Sequence, residues 1–398
     1  MAKRSDWLNA IKVLPALLIS LILLVAACHP GSGLTTDSSG GGGSGSPTPT
    51  PTPLPGGSFA YSTNFGDAMV SEFSRNTTTG VLTFLGVVTA GAVSGPKGIA
   101  ITPGNSFLYV ANFADGKIYE FSINGSTGKL TSIGSVDNGS KSGPQFIAIS
   151  PNGSFLWVTG GGDGSVTSYK IAANGKLTAI KNPLVGFSAP LGIVVDPGGT
   201  FLFVSDPGNG NIYPLTINAD GTLTQTSPQV QSAQAGAVTP GLLADDSTNP
   251  IPTLWVTDYV AGIVSPFAIG AGGVLTAGPA TGDPGGPTVK PFGIGVAPLA
   301  TEYLFTANQK EGAAQAYSIF GQTLTGTATV TSLDAPTQLV VDSQNAFVYT
   351  TDQTGGVITQ MQINGVCHVI PSLCFVASVA TESPASLASA PFGIALTH

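Results

Sequence analysis

The fold is decided by a short stretch, Pro96-Lys-Gly-Ile-Ala-Ile101, in which a proline is followed by a small apolar strand. Related stretches recur along the chain and begin at Pro144, Pro190, Pro240, Pro291, Pro336 and Pro391. Successive prolines are 45 to 55 residues apart, and such a period is typical of repeats that each contribute one supersecondary unit. For β-rich units this period predicts the blades of a propeller.

Each repeat contains four strand signals separated by turn residues. In the repeat that starts at Pro96, a second strand, Phe107-Leu-Tyr-Val-Ala-Asn112, is too continuously apolar to have a solvent-exposed face. A third strand, Lys117 to Ile123, alternates polar with apolar residues, and a fourth runs from Lys129 to Val136. The pattern predicts an all-β protein built from four-stranded antiparallel blades.

The two ends of the chain are predicted to share one blade. Residues 58–90 supply three strands but lack the innermost one, whereas Pro391-Phe-Gly-Ile-Ala-Leu396 is an innermost strand without a blade. Pairing them completes seven blades and leaves no blade open. We therefore expect residues 58–398 to form one seven-bladed β-propeller.

The N-terminal segment has the pattern of an export signal. Basic residues precede an apolar stretch from Val13 to Ala27, which is interrupted by Pro15 and is short for a membrane span. The run Leu24-Val-Ala-Ala-Cys28 resembles the lipobox of bacterial lipoproteins. That resemblance implies that residues 1–27 are removed and that Cys28 is lipidated, with sorting to the outer membrane if the host has two membranes.

Residues 28–57 are predicted to be a tether between the lipid and the propeller. A Gly/Ser stretch is followed by Pro47-Thr-Pro-Thr-Pro-Thr-Pro53, and these compositions favour a flexible coil and a polyproline II segment. The sequence thus predicts an exported protein that contacts the membrane only through its anchor.

The remaining cysteines, Cys367 and Cys374, are predicted to form a disulfide in an oxidising compartment. A metal site that also uses His368 is the alternative, although a fourth ligand at the usual spacing is lacking.

Net charge argues against a nucleic-acid partner. The formal charge is −8 at pH 7, and Arg75 is the only arginine left once the leader is removed. Phosphate recognition depends on clusters of lysine and arginine. We expect a monomer whose partner is an envelope protein or a carbohydrate.

The strand and turn motifs resemble two groups of propellers. Tyr109-Val-Ala-Asn112, Trp157-Val-Thr159 and Trp255-Val-Thr-Asp258 are similar to the YVTN-type repeat of surface proteins. Together with the Gly-Lys-Leu-Thr turns, they also resemble the seven-bladed propeller-fold lactonases, a family that includes 6-phosphogluconolactonase. The resemblance covers residues 58–398 and implies fold more strongly than activity.

The lactonase resemblance implies histidine and arginine near the starts of certain innermost strands. The corresponding positions here hold Gln145 and Leu191. The three histidines stand elsewhere, at His29, His368 and His398. Because lactone hydrolysis needs a base or a metal-activated water, this departure leaves open whether the protein is an enzyme.

A set of aligned residues at the ends of the second strands is the sequence's candidate site. Its oxygen-bearing members are Asn64, Asn112, Asp206, Asp258, Asn308 and Asp352, and Gly160 takes the seventh position. Asn and Asp commonly cap tight turns. As a ring of hard oxygen donors at the channel mouth, they would alternatively suit Ca²⁺ or sugar hydroxyl groups.

These observations lead to two hypotheses for function. The first is a lipid-anchored binding or scaffolding module of the cell envelope, presenting loops on a rigid disc without any cofactor. The alternative is a hydrolase of sugar lactones, with a divalent cation held at the Asn/Asp ring. The missing histidine and arginine favour the first, and the family resemblance favours the second.

Overall fold

The fold was analysed in a computed structural model. It describes residues 58–93, 95–139, 142–180, 183–225, 228–231, 240–246, 251–282, 290–297, 302–363, 375–380 and 390–398. Within these residues, seven antiparallel sheets form a seven-bladed β-propeller, as predicted. The one helical element among them is a short 3-10 turn, Ala271–Gly273.

We number the blades along the chain and the strands of each blade outward from the centre. Blade 1 contains Pro391–Leu396, Phe59–Asn64, Met69–Arg75 and Leu82–Thr89. Blade 2 contains Pro96–Ile101, Phe107–Asn112, Lys117–Ile123 and Leu130–Asp137. Blade 6 contains Pro291–Ala297, Tyr303–Asn308, Ala313–Phe320 and Thr323–Val330, and blade 7 contains Pro336–Val341, Phe347–Asp352, Val357–Ile363 and Phe375–Ala380.

In blades 3, 4 and 5 the fourth strand is split into two short pieces that both pair with the third strand. Blade 3 contains Pro144–Ile149, Phe155–Gly160, Ser165–Ile171, and the pieces Leu177–Ala179 and Leu184–Val185. Blade 4 contains Ile193–Val195, Phe201–Asp206, Asn211–Ile217, and the pieces Leu223–Thr224 and Val230–Gln231. Blade 5 contains Pro240–Asp246, Thr253–Asp258, Ile263–Ile269, and the pieces Leu275–Ala277 and Thr281–Gly282.

The innermost strands form a closed ring. Each contacts the innermost strand of the next blade, and the strand Pro391–Leu396 lies between those of blades 7 and 2. It pairs antiparallel with Phe59–Asn64, as the sequence predicts. Backbone bonds extend this closure, since Thr397 N donates to Phe59 O at 2.9 Å.

The core lies between the blades, because the second strands are covered on both faces. Phe107–Asn112 is buried from its second residue onward, as its unbroken apolar run predicts. Aromatic residues at the middle of these strands, such as Tyr61, Tyr109 and Trp157, are fully buried. Packing on both faces fixes the angle between neighbouring blades and so sets the width of the central channel.

Candidate functional site

The channel has one mouth where the innermost strands begin and the second strands end. Pairing between these strands slips at this point in blades 1, 2, 3, 5, 6 and 7, which is the signature of a β-bulge. Bulges re-aim side chains and are common beside active sites. In these six blades, the residue that follows the proline therefore leaves the regular alternation of the strand.

In three of these bulges the second residue after the proline is a glycine, because the innermost strands of neighbouring blades approach each other closely there. A Cβ atom on Gly98 would lie 2.5 Å from the carbonyl oxygen of Gln145. On Gly293 it would lie 2.4 Å from Thr337 O, and on Gly393 it would lie 2.3 Å from Lys97 O. The glycine of the Pro-x-Gly pattern is thus required because the innermost strands of neighbouring blades lie so close together at the mouth.

Lys97 is the cation at the centre of this arrangement. Its Nζ donates to Gln145 Oε1 at 2.8 Å and lies 4.0 Å from the ring centroid of Phe113. The centroids of Phe65 and Phe392 are each 5.8 Å from the same nitrogen. Burial lowers the pKa of Lys97 from 10.5 to about 8, which brings a free amine within reach of neutral pH.

An aromatic cluster surrounds the lysine. Phe392 is its hub, with ring centroids 6.2 Å from Phe65, 6.1 Å from Phe146 and 6.2 Å from Phe292. Tyr259 extends the cluster through an edge contact with Phe292, at 6.3 Å. A second lysine, Lys290, lies over the Tyr259 ring at 5.2 Å. The mouth is therefore an apolar, aromatic surface with a cation on each side.

Below the aromatic cluster, the channel holds a cavity of about 100 Å³. Its lining comes from the innermost strands of five blades and comprises Ile99, Phe146, Ile147, Ile193, Ile294, Gln338 and Leu339. Gln338 is the polar exception, and its Oε1 already accepts a hydrogen bond from Ile394 N at 2.8 Å. Most of the lining residues are apolar, but the surface that faces this small space is mainly polar.

The predicted Asn/Asp set lies at the same mouth but inside its wall. Its six members, Asn64, Asn112, Asp206, Asp258, Asn308 and Asp352, are at most 2% exposed. Within the wall they bond to turns and loops, as the capping alternative expects.

Three members show this capping in detail. Asp206 accepts from Ser188 N at 2.7 Å and from Ala189 N at 2.8 Å, and Asp352 accepts from Ala335 N at 2.9 Å. Asn112 donates to Ala90 O at 3.0 Å. Binding of Ca²⁺ or sugar hydroxyl groups by this set stays a prediction.

After three of the six Asn or Asp residues, the next residue is an aromatic one whose ring contacts Lys97 or the aromatic cluster. Phe65 follows Asn64, Phe113 follows Asn112 and Tyr259 follows Asp258. Lys97, which no motif in the sequence singled out, occupies the position in blade 2 that Gln145 occupies in blade 3. The signal was available, because Lys97 follows its proline as Gln145 follows Pro144.

Other predicted sites lie outside the described residues. These are the leader, Cys28 with its tether, and the pair Cys367 and Cys374. Within the described part of the chain, no three His, Cys, Asp or Glu side chains are grouped as metal ligands. No helix in that part has the length and hydrophobicity needed to cross a membrane.

Comparison with known proteins tests the resemblance. The sequence matches the family described as lactonase, 7-bladed beta-propeller, over residues 52–141 and 114–241. The similarity to the lactonase propellers is confirmed. No curated protein matches the chain.

Solved structures with the same fold include two that are named as lactonases. A candidate 6-phosphogluconolactonase from Bacteroides fragilis has a TM-score of 0.72 and 16% identity, covering 88% of this chain and 100% of its own. The Pseudomonas aeruginosa periplasmic gluconolactonase PpgL has a TM-score of 0.68 and 16% identity, covering 86% of this chain and 99% of its own. At this identity the likeness concerns the lactonase-type propeller fold.

Proposed function

We propose that the protein hydrolyses lactones at the channel mouth, with Lys97 as the general base. The observation that carries the proposal is the Lys97 amine, which is bonded to Gln145, enclosed by phenylalanine rings and lowered in pKa to about 8. Similarity to the lactonase propellers supports this reaction class over the binding and scaffolding role. A lysine base would also take the place of the histidine whose absence from the innermost strands had argued against catalysis.

The proposed chemistry needs three groups. The neutral amine of Lys97 takes a proton from water, and the resulting hydroxide adds to the lactone carbonyl. Since Gln145 Oε1 accepts from Lys97, its amide NH₂ is the donor placed for the developing oxyanion. The ring C–O bond then breaks, and the Lys97 ammonium returns its proton to the leaving alkoxide. The faces of the aromatic cluster hold the ring of the substrate.

We propose that the protein is exported and held at the cell envelope by lipid on Cys28. The support for this place is the sequence pattern, namely the leader, Cys28 and the Gly/Ser and Pro/Thr composition of residues 28–57.

The first test is hydrolysis of a lactone panel by the wild type and by Lys97→Met and Lys97→Arg. Removing a general base typically costs about 10²- to 10⁴-fold in rate, and we expect both variants to show a loss of this size. Arginine keeps the charge but does not deprotonate in this pH range, so its failure to rescue identifies a base. Lys117→Met, the same change at an exposed lysine of blade 2, is the matched control.

The pH profile of the same panel gives a second readout. Only the neutral amine acts as a base, so the rate that depends on Lys97 should rise with pH and level off above about 8. Subtracting the Lys97→Met rate at each pH removes hydrolysis by hydroxide. Turnover that survives in Lys97→Arg, or turnover that disappears with chelator and returns with Ca²⁺, would contradict the lysine mechanism. Absence of turnover on every lactone would reject hydrolysis itself.

A further inference from the structure

We infer that the Lys97 amine forms a Schiff base with small neutral aldehydes, so that the channel mouth is also a site of covalent carbonyl binding. The inference goes beyond the proposed function, and it needs neither a lactone nor turnover. It starts from the surroundings of the amine. These are one hydrogen-bond acceptor, three aromatic rings and no ion-paired carboxylate among the described residues.

The hydrogen bonding of Lys97 matches an iminium better than an ammonium. A lysine ammonium carries three N–H donors. Within the described part of the chain, Lys97 Nζ donates to one acceptor, Gln145 Oε1, at 2.8 Å. A protonated Schiff base retains one N–H, because two hydrogens leave with the aldehyde oxygen. Gln145 therefore supplies the one acceptor that the iminium requires.

The rings around the amine suit a delocalised cation. The nitrogen lies 4.0 Å from the ring centroid of Phe113 and 5.8 Å from those of Phe65 and Phe392. Ring faces attract cations, and an iminium shares its positive charge between nitrogen and carbon. A carboxylate on the aldehyde would lose its water against the same rings. The rings therefore favour a neutral aldehyde.

The amine also has the charge state and the access that addition requires. The lysines that form ion pairs within the described residues are Lys129 and Lys176. Burial lowers the pKa of Lys97 to about 8, so roughly a tenth of this amine is uncharged at pH 7, against roughly 0.03% for an ordinary lysine. Its side chain is half-buried, and the Phe113 ring beside it is 37% exposed. An aldehyde can thus reach the nitrogen from the mouth.

The reaction balances without a further co-reactant. The nitrogen lone pair adds to the aldehyde carbon, the carbonyl electron pair moves to oxygen, and this oxygen takes a proton from the nitrogen. The hydroxyl group of the resulting carbinolamine then leaves as water with the proton that the ammonium released. A C=N bond replaces the C–O bond. Overall, one ammonium and one aldehyde give one iminium and one water.

The experiment traps the Schiff base in the intact protein. Benzaldehyde is added at pH 7 with sodium cyanoborohydride, which reduces the iminium to a stable benzyl-lysine. Peptide mapping by mass spectrometry then gives the rate of modification at each lysine. We expect Lys97 to react at least tenfold faster than Lys117, an exposed lysine of the same blade. This comparison is made within one protein and depends on no variant.

Variants test the surroundings of the amine. Lys97→Arg should lose the fast site and leave the rate at Lys117 unchanged. Phe113→Leu removes the nearest ring and should slow trapping at Lys97 by about 2- to 30-fold, which corresponds to about 0.5–2 kcal/mol for a cation–π contact. Phe320→Leu makes the same change at a ring of blade 6 that is 89% exposed, and it should keep the wild-type rate.

Two outcomes would overturn the inference. Equal modification of Lys97 and Lys117 would reject the Schiff base, and a Lys97-to-Lys117 ratio that is higher with glyoxylate than with benzaldehyde would reject the neutral aldehyde. The result is separable from the proposed function. Trapping at Lys97 without turnover of any lactone rejects hydrolysis and supports this inference. Lactone turnover that requires Lys97, without trapping, does the reverse.

Discussion

At the scale of single residues, the mouth depends on glycines that follow a proline by two positions. Gly98 makes room for the backbone of Gln145 and Phe146, whose nearest atoms would lie 2.5 and 2.8 Å from an added Cβ. These are backbone atoms, so no side-chain rotation relieves the clash. The same glycine lies next to Lys97, and its size therefore affects both stability and the position of the base.

We expect Gly98→Ala to lower the free energy of unfolding by about 1–3 kcal/mol, the usual cost of overpacking. It should also weaken the lactone activity, because moving Gln145 disturbs the partner of Lys97. Denaturant unfolding and kcat/KM measure the two effects. Gly125→Ala is the control, since nothing lies within 4 Å of its added Cβ. Equal stability of the two variants would show that the strands are less tightly packed than described.

At this scale, sequence reasoning located the mouth but misjudged which side chains reach it. The aligned Asn and Asp residues were conspicuous because their type recurs in six repeats. The recurring Asn and Asp residues did not reveal the aromatic surface because the strands pair with a β-bulge at this point. The bulge changes which side chains of the strand face the channel, and no residue pattern in the sequence marks its position. Lys97 was visible in the sequence, but burial lowers its pKa, and the rings beside its amine come from blades 1 and 2, far apart in the sequence.

At the scale of strands and turns, blades 1, 2, 3 and 7 are each latched to the next blade by a hydrogen bond from a buried aromatic side chain. Tyr61 donates to Gly128 O at 2.7 Å, Tyr109 to Gly175 O at 2.8 Å, and Tyr349 to Gly80 O at 2.6 Å. Trp157 Nε1 makes the equivalent bond to Gly221 O, at 3.0 Å. In each case a second strand reaches the turn between the third and fourth strands of the following blade.

These latches explain the glycine that ends each such turn. Gly128 has φ of +71°, and an added Cβ would lie 2.2 Å from the ring of Phe59. Only glycine satisfies both the left-handed backbone and the close contact. The sequence showed these glycines as turn signals, which was enough to predict four strands per blade. It could not show that the same turns receive bonds from the blade before.

We expect Tyr109→Phe to destabilise the propeller by about 1–3 kcal/mol, because the carbonyl of Gly175 is left buried without its donor. Burial and the nearby Glu120 carboxylate raise the pKa of Tyr109, so the hydroxyl remains a donor throughout the pH range of an assay. Tyr119→Phe is the matched control, since its hydroxyl bonds to Asp115 within the same blade and is part-buried. Thermal or denaturant unfolding should show the smaller loss for Tyr119→Phe, and the reverse order would contradict the latch.

At the scale of the whole molecule, the ring is closed by contacts that join blade 1 to both ends of the chain. Phe59 N donates to Thr397 Oγ1 at 2.7 Å, which secures the C-terminal strand. Arg75 and Asp342 form an ion pair at 2.9 Å between blades 1 and 7, and both side chains are at most 2% exposed. Asp342 also accepts from Phe347 N at 2.9 Å, so its carboxylate has a second partner, whereas the buried Nε of Arg75 has no hydrogen-bond partner among the described residues.

Closure is the part of the structure that the sequence predicted best. The repeat period of 45 to 55 residues, together with the unpaired strand at Pro391, predicted seven blades, one of them shared by the two ends of the chain. The pairing of Pro391–Leu396 with Phe59–Asn64 confirms the shared blade. The Arg75–Asp342 pair was beyond prediction because its members are 267 positions apart and carry no motif. A rigid ring matters for function, since it holds Lys97, Gln145 and Phe392 from three blades in one place.

The most direct test of the account is where a non-hydrolysable lactone analogue binds. We predict that a crystal structure with δ-valerolactam will place the lactam carbonyl within hydrogen-bonding distance of Lys97 Nζ or the Gln145 amide. Binding of the lactam elsewhere on the propeller, with the mouth at Lys97 left empty, would contradict the account.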